Sequence, residues 1–215
     1  MKVGIIGSGG REHAICHALS NSKNIDQIFC FPGNAGTAQM AKNVDLNLED
    51  FINLKDFVLL NQIELIIVGP EKPLVEGIVD FLENHNIKVF GPNKIASQLE
   101  GSKIFTKNLC KKYNIPTAKF GIFTNKNDAN HFVEESKYPI VIKADGLASG
   151  KGVYICETQN EAKNAVGEIF EGKFGTAKNL LIEEFLDGEE MSYFVISDGK
   201  TLKQLCTNCL YFVKV

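Results

Sequence analysis

The sequence predicts an α/β fold: a doubly wound parallel-sheet domain followed by a partial α+β unit. Three observations carry this. Up to residue 90, short β-branched runs alternate with helix-length segments, the pattern of a parallel sheet covered on both faces. Glycines gather at the predicted strand ends, where open sheets of this class bind ligands. Beyond residue 100 the alternation gives way to strand, helix, strand, glycine loop, strand, helix and further strands.

In chain order, "KVGIIG" reads as the first strand and "EHAICHALSNS" as its helix. "DQIFCF" is a strand, "LEDFINLKDFVLLNQ" a helix, "ELIIV" a strand, "LVEGIVDFLENH" a helix and "KVF" a strand. Their carboxyl ends carry "GSGGREH", "PGNAGT", "GPEKPL" and "GPNK". In the second half "KNDANHFVEESK" and "QNEAKNAVGEIF" are helices, and "PIVIKA", "GVYICE", "NLLIEEFL" and "EMSYFVISDG" are strands.

Composition narrows the function. The 215 residues are 44% hydrophobic, enough to bury a core, and the formal net charge of -3 gives no general attraction to nucleic acid or anionic membrane. Met1 leads straight into an apolar strand without the features of a signal peptide, and no apolar run approaches membrane-spanning length. The expectation is a cytoplasmic protein with small-molecule partners. The six cysteines are scattered, as small buried thiols of a reducing compartment would be, and the lone C-x-x-C of Cys206 and Cys209 does not argue for zinc. His13 and His17 lack the H-E-x-x-H glutamate and are not expected to bind metal.

Two glycine loops invite nucleotide readings, and each fails a standard pattern. In "GSGGREH" the dinucleotide fingerprint requires glycine at position 12, where Glu12 stands, and no acid closes the second strand. The loop is better suited to one phosphate group at a helix N-terminus. In "VIKADGLASGKGV", Gly146 and Gly150 are one residue too close for a P-loop, and Gly152 follows Lys151 where a Mg²⁺-ligating hydroxyl belongs. This loop joins two strands, so it suits a lid over a triphosphate.

Taken in order, "GSGGREHA", "PGNAGT", "GPEKPLV", "FGP", "LEGSKIFTK", "IPTA", "VIKADGLASGKGV" and "IEEFLDGEEMS" resemble the phosphoribosylamine–glycine ligase (glycinamide ribonucleotide synthetase) family of the ATP-grasp superfamily. The resemblance implies a Rossmann-like pre-ATP-grasp substrate domain over residues 1–101 and the N-terminal portion of an ATP-grasp domain over 102–200, with 201–215 a divergent tail. It implies ATP-dependent ligation of glycine to 5-phosphoribosylamine through an acyl phosphate, by a monomeric enzyme. Lys103 and Lys143 match the two phosphate-contacting lysines, to which we give the catalytic role. Asp145, Gly146, Ser149, Gly150, Lys151 and Gly152 fall in the phosphate lid. Glu183, Glu184, Phe185 and Leu186 match the adenine hinge, and Glu190 the ribose carboxylate. Gly9, Gly10, Arg11, Asn34, Gly36, Thr37 and Glu71 are the expected contacts to the phosphoribosyl substrate.

The motifs stop after "ISDGK", and the family's Mg²⁺-binding Glu and Asn have no counterpart in "TLKQLCTNCLYFVKV". The expectation is therefore a truncated or frameshifted ligase without its metal site, whose ATP binding is weak and unproductive. Its unfinished sheet would expose an edge for self-association. Three other readings stay open at this point: a non-catalytic nucleotide-binding module, another ATP-grasp carboxylate–amine ligase, and a nicotinamide-dependent oxidoreductase.

Overall fold

A computed structural model describes residues 1–147, 152–175, 179–189 and 191–204. The first half is a parallel sheet of β1 (Lys2–Gly7), β2 (Gln27–Pro32), β3 (Lys42–Asn43), β4 (Leu65–Val68) and β5 (Val89–Phe90), in the order β3-β2-β1-β4-β5. Alternation along the strands divides its core. Ile5, Ile28 and Cys30 face one side and pack with Cys16 of α1 (Gly10–Ser20). Ile6, Phe29 and Phe31 face the other and pack with Leu54 and Val58 of α2 (Phe51–Leu60). Burial on both faces explains why these strands read as continuous apolar runs. The strand order reverses between β1 and β4, which opens a crevice above their carboxyl ends.

One predicted helix is two. The run expected as a single helix over 74–85 is α3 (Glu71–Glu76) and α4 (Ile78–Glu83), divided at Gly77 with φ of 100°. That left-handed conformation closes α3, and only glycine adopts it without steric cost. The stretch after β5, to which the sequence assigned no elements, forms α5 (Lys94–Gly101) and α6 (Lys103–Tyr113), each capped by its own side chain: Asn93 accepts from the Ala96 N–H and Ser102 from the Phe105 N–H.

The second half contains an antiparallel sheet of β6 (Phe120–Phe123), β7 (Ile140–Ala144), β8 (Val153–Cys156) and β9 (Leu180–Glu184), ordered β6-β9-β7-β8. α7 (Lys126–Glu135) and α8 (Gln159–Phe170) cover one face, burying Ile140, Ile142, Ala144, Leu180 and Ile182 against Val133, Val166 and Ile169. The period of two then turns Lys143 and Glu183 to the opposite face, toward α6. Among the described residues of "EMSYFVISDG" the strand is confined to β10 (Val195–Ser197), which pairs antiparallel with β11 (Leu202–Gln204) across a turn containing Gly199 at φ of 86°.

Candidate functional site: a lysine-lined cavity and a glycine-rich crevice

A cavity of about 300 Å³ opens between α6, the end of α5 and the uncovered face of the antiparallel sheet, lined by Leu99, Glu100, Lys103, Thr106, Lys107, Lys143, Val153 and Glu183. The sheet register builds its floor. Lys143 pairs with Leu181 and Val141 with Glu183, so Lys143 and Glu183 are diagonal neighbours on adjacent strands, within reach of long side chains. Glu183 is 6% exposed, and its Oε2 lies 2.7 Å from Lys143 Nζ. Its Oε1 lies 2.9 Å from Lys107 Nζ, outside the angular range of a hydrogen bond, and has no hydrogen-bond partner among the described residues. Two ammonium groups thus offset the cost of burying this carboxylate.

The mouth of the cavity is tied to α6. Asp145 accepts from the Ser102 hydroxyl (3.1 and 3.2 Å) and from the Ile104 N–H (3.2 Å), so a carboxylate from the glycine loop sits at the positive end of the helix. Lys103 Nζ donates to the Gly146 carbonyl at 2.9 Å. Gly146 is at φ of 100°, and Gly152 on the far side of the loop returns its carbonyl to the Ala144 N–H. Ser149, Gly150, Lys151 and Glu190 lie outside the described residues.

The hinge residues divide. Glu183 faces the cavity, whereas Glu184 turns away and accepts the Lys119 N–H at 2.9 Å. Phe185 is half-buried and Leu186 is exposed.

The second group of predicted residues gathers at the crevice between β1 and β4. Gly9 caps α1 and Gly10 begins it. Arg11 reaches across to Glu71, Nη2 to Oε1 2.6 Å, and this hydrogen bond, with backbone help at Glu71, holds the Glu71 carboxyl below its ordinary value. Asn34 is fully occupied in shaping the loops: its amide donates to the Ser8 and Gly9 carbonyls and its oxygen accepts from the Gly36 and Thr37 N–H groups. Thr37 is buried and bonds Asn34 and Asn43. Gly36 lies under His13, whose ring leaves no room for a Cβ.

Glu12, read from sequence only as the residue that spoils the dinucleotide fingerprint, fills the crevice. It is 4% exposed, and its Oε2 accepts the Gly9 N–H at 2.6 Å. A Cβ on Gly7 or Gly69 would meet its side chain at 2.6 and 2.1 Å. The Gly9 N–H is thus taken by a side chain of the protein itself. A second cavity of about 270 Å³, lined by Glu71, Leu74, Pro92, Ala96, Ser97, Leu99 and Glu100, lies beside the crevice and shares Leu99 and Glu100 with the lysine-lined one.

Comparison with known proteins identifies the fold and the lineage. Residues 1–100 match the family model "Phosphoribosylglycinamide synthetase, N domain", and residues 101–210 match "Phosphoribosylglycinamide synthetase, ATP-grasp (A) domain". The chain belongs to the phosphoribosylglycinamide synthetase family. The family match runs to residue 210, whereas the motifs read from the sequence end at Lys200. Among its relatives, phosphoribosylamine–glycine ligase of Brucella melitensis is 49% identical over 94% of this chain and 47% of its own length. The Caldanaerobacter subterraneus ligase is 47% identical over 96% of this chain and 50% of its own. The chain spans about half the length of the curated relatives it matches. The crystal structure of phosphoribosylamine–glycine ligase from Thermotoga maritima superposes with a TM-score of 0.78 at 33% identity, over 96% of this chain and 49% of that one. An N5-carboxyaminoimidazole ribonucleotide synthetase shares the fold alone, at a TM-score of 0.70 and 22% identity.

The α/β family architecture read from the sequence is thus the architecture found: a parallel-sheet N-terminal domain followed by part of an ATP-grasp domain. Lys107 was missed. Its signal is the spacing in "SKIFTK", four residues after Lys103, which puts both ammonium groups on one helix face. Among the described residues no group of three or more His, Cys, Asp or Glu side chains is placed to hold a metal. The described cavity does not suit Mg²⁺ either, because Glu183 is already flanked by lysines and the other charged groups there are Lys103 and Glu100. No helix of the described residues is long and apolar enough to cross a membrane.

Proposed function

We propose that this chain carries the nucleotide and substrate sites of an ATP-dependent ligase joining glycine to 5-phosphoribosylamine. The observation that carries the reading is the cavity with three lysines around one buried glutamate, in a chain of this family. The chemistry asks for little beyond position and charge. Glycine carboxylate attacks the terminal phosphorus of ATP, ADP leaves, and the phosphoribosylamine nitrogen displaces phosphate from the glycyl phosphate. Phosphates entering the cavity gain from ammonium groups already held in place. In this reading Lys103 exchanges the Gly146 carbonyl for a phosphate oxygen, Lys143 contacts phosphate from the strand, and the loop from Asp145 to Gly152 covers it.

The backbone from Glu183 to Leu186, with the Glu183 carboxylate, then receives adenine and Glu190 the ribose, the Glu184 side chain being turned to the Lys119 N–H, while Gly9, Gly10, Arg11 and Glu71 face the phosphoribosyl group at the crevice. Asn34, Gly36 and Thr37 shape that crevice through their own hydrogen bonds. The division of labour falls at residues 101/102, with 1–101 serving the substrate and 102–200 the nucleotide. Among the described residues β6 and β8 are the edges of this sheet, so these edges are the proposed route of any self-association, checked by size-exclusion chromatography.

Calorimetric titration with ATP tests the binding reading. Saturable binding is expected, weakened about tenfold by Lys103→Ala or Lys143→Ala. Absence of ATP binding by the folded chain would overturn it. Phosphate release with ATP, Mg²⁺, glycine and phosphoribosylamine then separates a ligase from a module that binds ATP without turnover.

A further inference from the structure

We infer that Lys107 is a positioning residue of the nucleotide site: it holds the Glu183 carboxylate, and through it the Lys143 ammonium, in the geometry that receives phosphate. The inference rests on the nucleotide reading above and adds a residue to it. Lys107 is the most enclosed of the ion-paired lysines at the cavity, 12% exposed against 28% for Lys143. It is held independently of Glu183. Its ammonium donates to Thr117 Oγ1 at 2.5 Å and to the Ala118 carbonyl at 3.4 Å, and it lies 5.4 Å from the centre of the Phe120 ring. These partners belong to the segment entering β6, which pairs with β9, so the anchor and the carboxylate share one sheet.

The order of restraint follows from these distances. Thr117, Ala118 and Phe120 fix Lys107, Lys107 stands 2.9 Å from Glu183 Oε1, and the other oxygen, Oε2, draws Lys143 to 2.7 Å. Both lysines line the cavity, but Lys107 has less surface left to touch a ligand than Lys143. Among the described residues the charged groups facing Glu183 are Lys107 from α6 and Lys143 from β7, with Lys103 and Glu100 lining the same cavity. Without Lys107, Glu183 would have one cation instead of two and its Oε1 would face no charge. Lys143 would lose the fixed carboxylate that aims it.

The test is a double-mutant cycle on the intact chain, read as ATP affinity by calorimetry, with circular dichroism to confirm folding. Lys107→Met is expected to weaken ATP binding about tenfold in the parent background and less than twofold in a Glu183→Gln background, because a residue acting through Glu183 has nothing left to position. Lys107→Arg, which keeps the charge beside Thr117 and Glu183, is expected to bind within about threefold of the parent. Parent-like affinity in Lys107→Met, an undiminished loss in the Glu183→Gln background, or an Arg variant as weak as Met would each overturn the inference. The Arg comparison decides the matter by itself if Glu183→Gln does not fold. Failure of the parent to bind ATP sinks the nucleotide reading, and this inference with it; parent binding with any of those three results sinks this inference alone.

Discussion

At the scale of single residues, the two most informative side chains are buried glutamates with opposite surroundings. Glu183 lies between ammonium groups, so truncating it leaves charges behind rather than a simple gap. Glu183→Ala is expected to cost about 3 kcal/mol in urea unfolding, whereas Glu184→Ala, which removes one exposed hydrogen bond to the Lys119 N–H, should cost about 1 kcal/mol. Glu12 instead occupies space made by glycines. Gly69→Ala puts a Cβ at 2.1 Å from Glu12 Oε1, and is expected to cost about 1–3 kcal/mol, measured by the same unfolding. Shortening Glu12 to Ala in that variant should recover part of the loss, because the clash is with its side chain. A cost unchanged by Glu12→Ala would show that Gly69 is needed for another reason.

At the scale of elements, α6 organises the candidate nucleotide site. Its first turn receives a carboxylate from the glycine loop and its cavity-facing side supplies Lys103 and Lys107. Ser102 both caps the helix and donates to Asp145, so the two side chains act as one unit. Ser102→Ala and Asp145→Ala should each lower stability by about 1 kcal/mol, with the double variant costing less than the sum. Strict additivity in chemical denaturation would refute the coupling. Gly77 has the same organising role between α3 and α4, and Gly77→Ala is expected to cost about 1 kcal/mol because of its positive φ.

At the scale of the molecule, buried thiols and paired carboxylates shape the response to pH. Burial, reinforced by Cys16, pushes the Cys30 thiol up to about 12, and burial pushes Cys156 up to about 11, from an ordinary value of 9.0. A raised folded value means the native state holds the proton more tightly. This contribution is therefore complete below pH 9, shrinks as the unfolded thiols ionise, and is fully lost as pH passes the folded values of about 11 and 12. Thermal unfolding from pH 8 to 11 should show a falling midpoint that flattens in a Cys30→Ala, Cys156→Ala variant. Glu71 runs the other way. Its carboxyl is held below its ordinary 4.5 by Arg11, so its small contribution is present above that value and is lost as pH falls through the lowered one.

The parallel sheet, its two-sided core and the glycine loops at its strand ends were legible in the sequence because hydrophobic period and turn chemistry are local: each run reports its own burial. Lys103, Lys143 and Glu183 were legible through motifs, and they do share one cavity. The break at Gly77 was not, since a glycine within an apolar helical run carries no record of its φ. Nor were the roles of Lys107 and Glu12. A lysine on a helix and a glutamate in a first turn read as solvent-facing until distant chain is brought against them. The β7–β9 register that sets Lys143 diagonal to Glu183, the Phe120 segment that clamps Lys107, and the closure of β1 on β4 that leaves Glu12 between Gly7 and Gly69 all join residues far apart in sequence. Local pattern specified the elements and the glycine loops at their ends; which charges are buried together followed from the packing of one element on another.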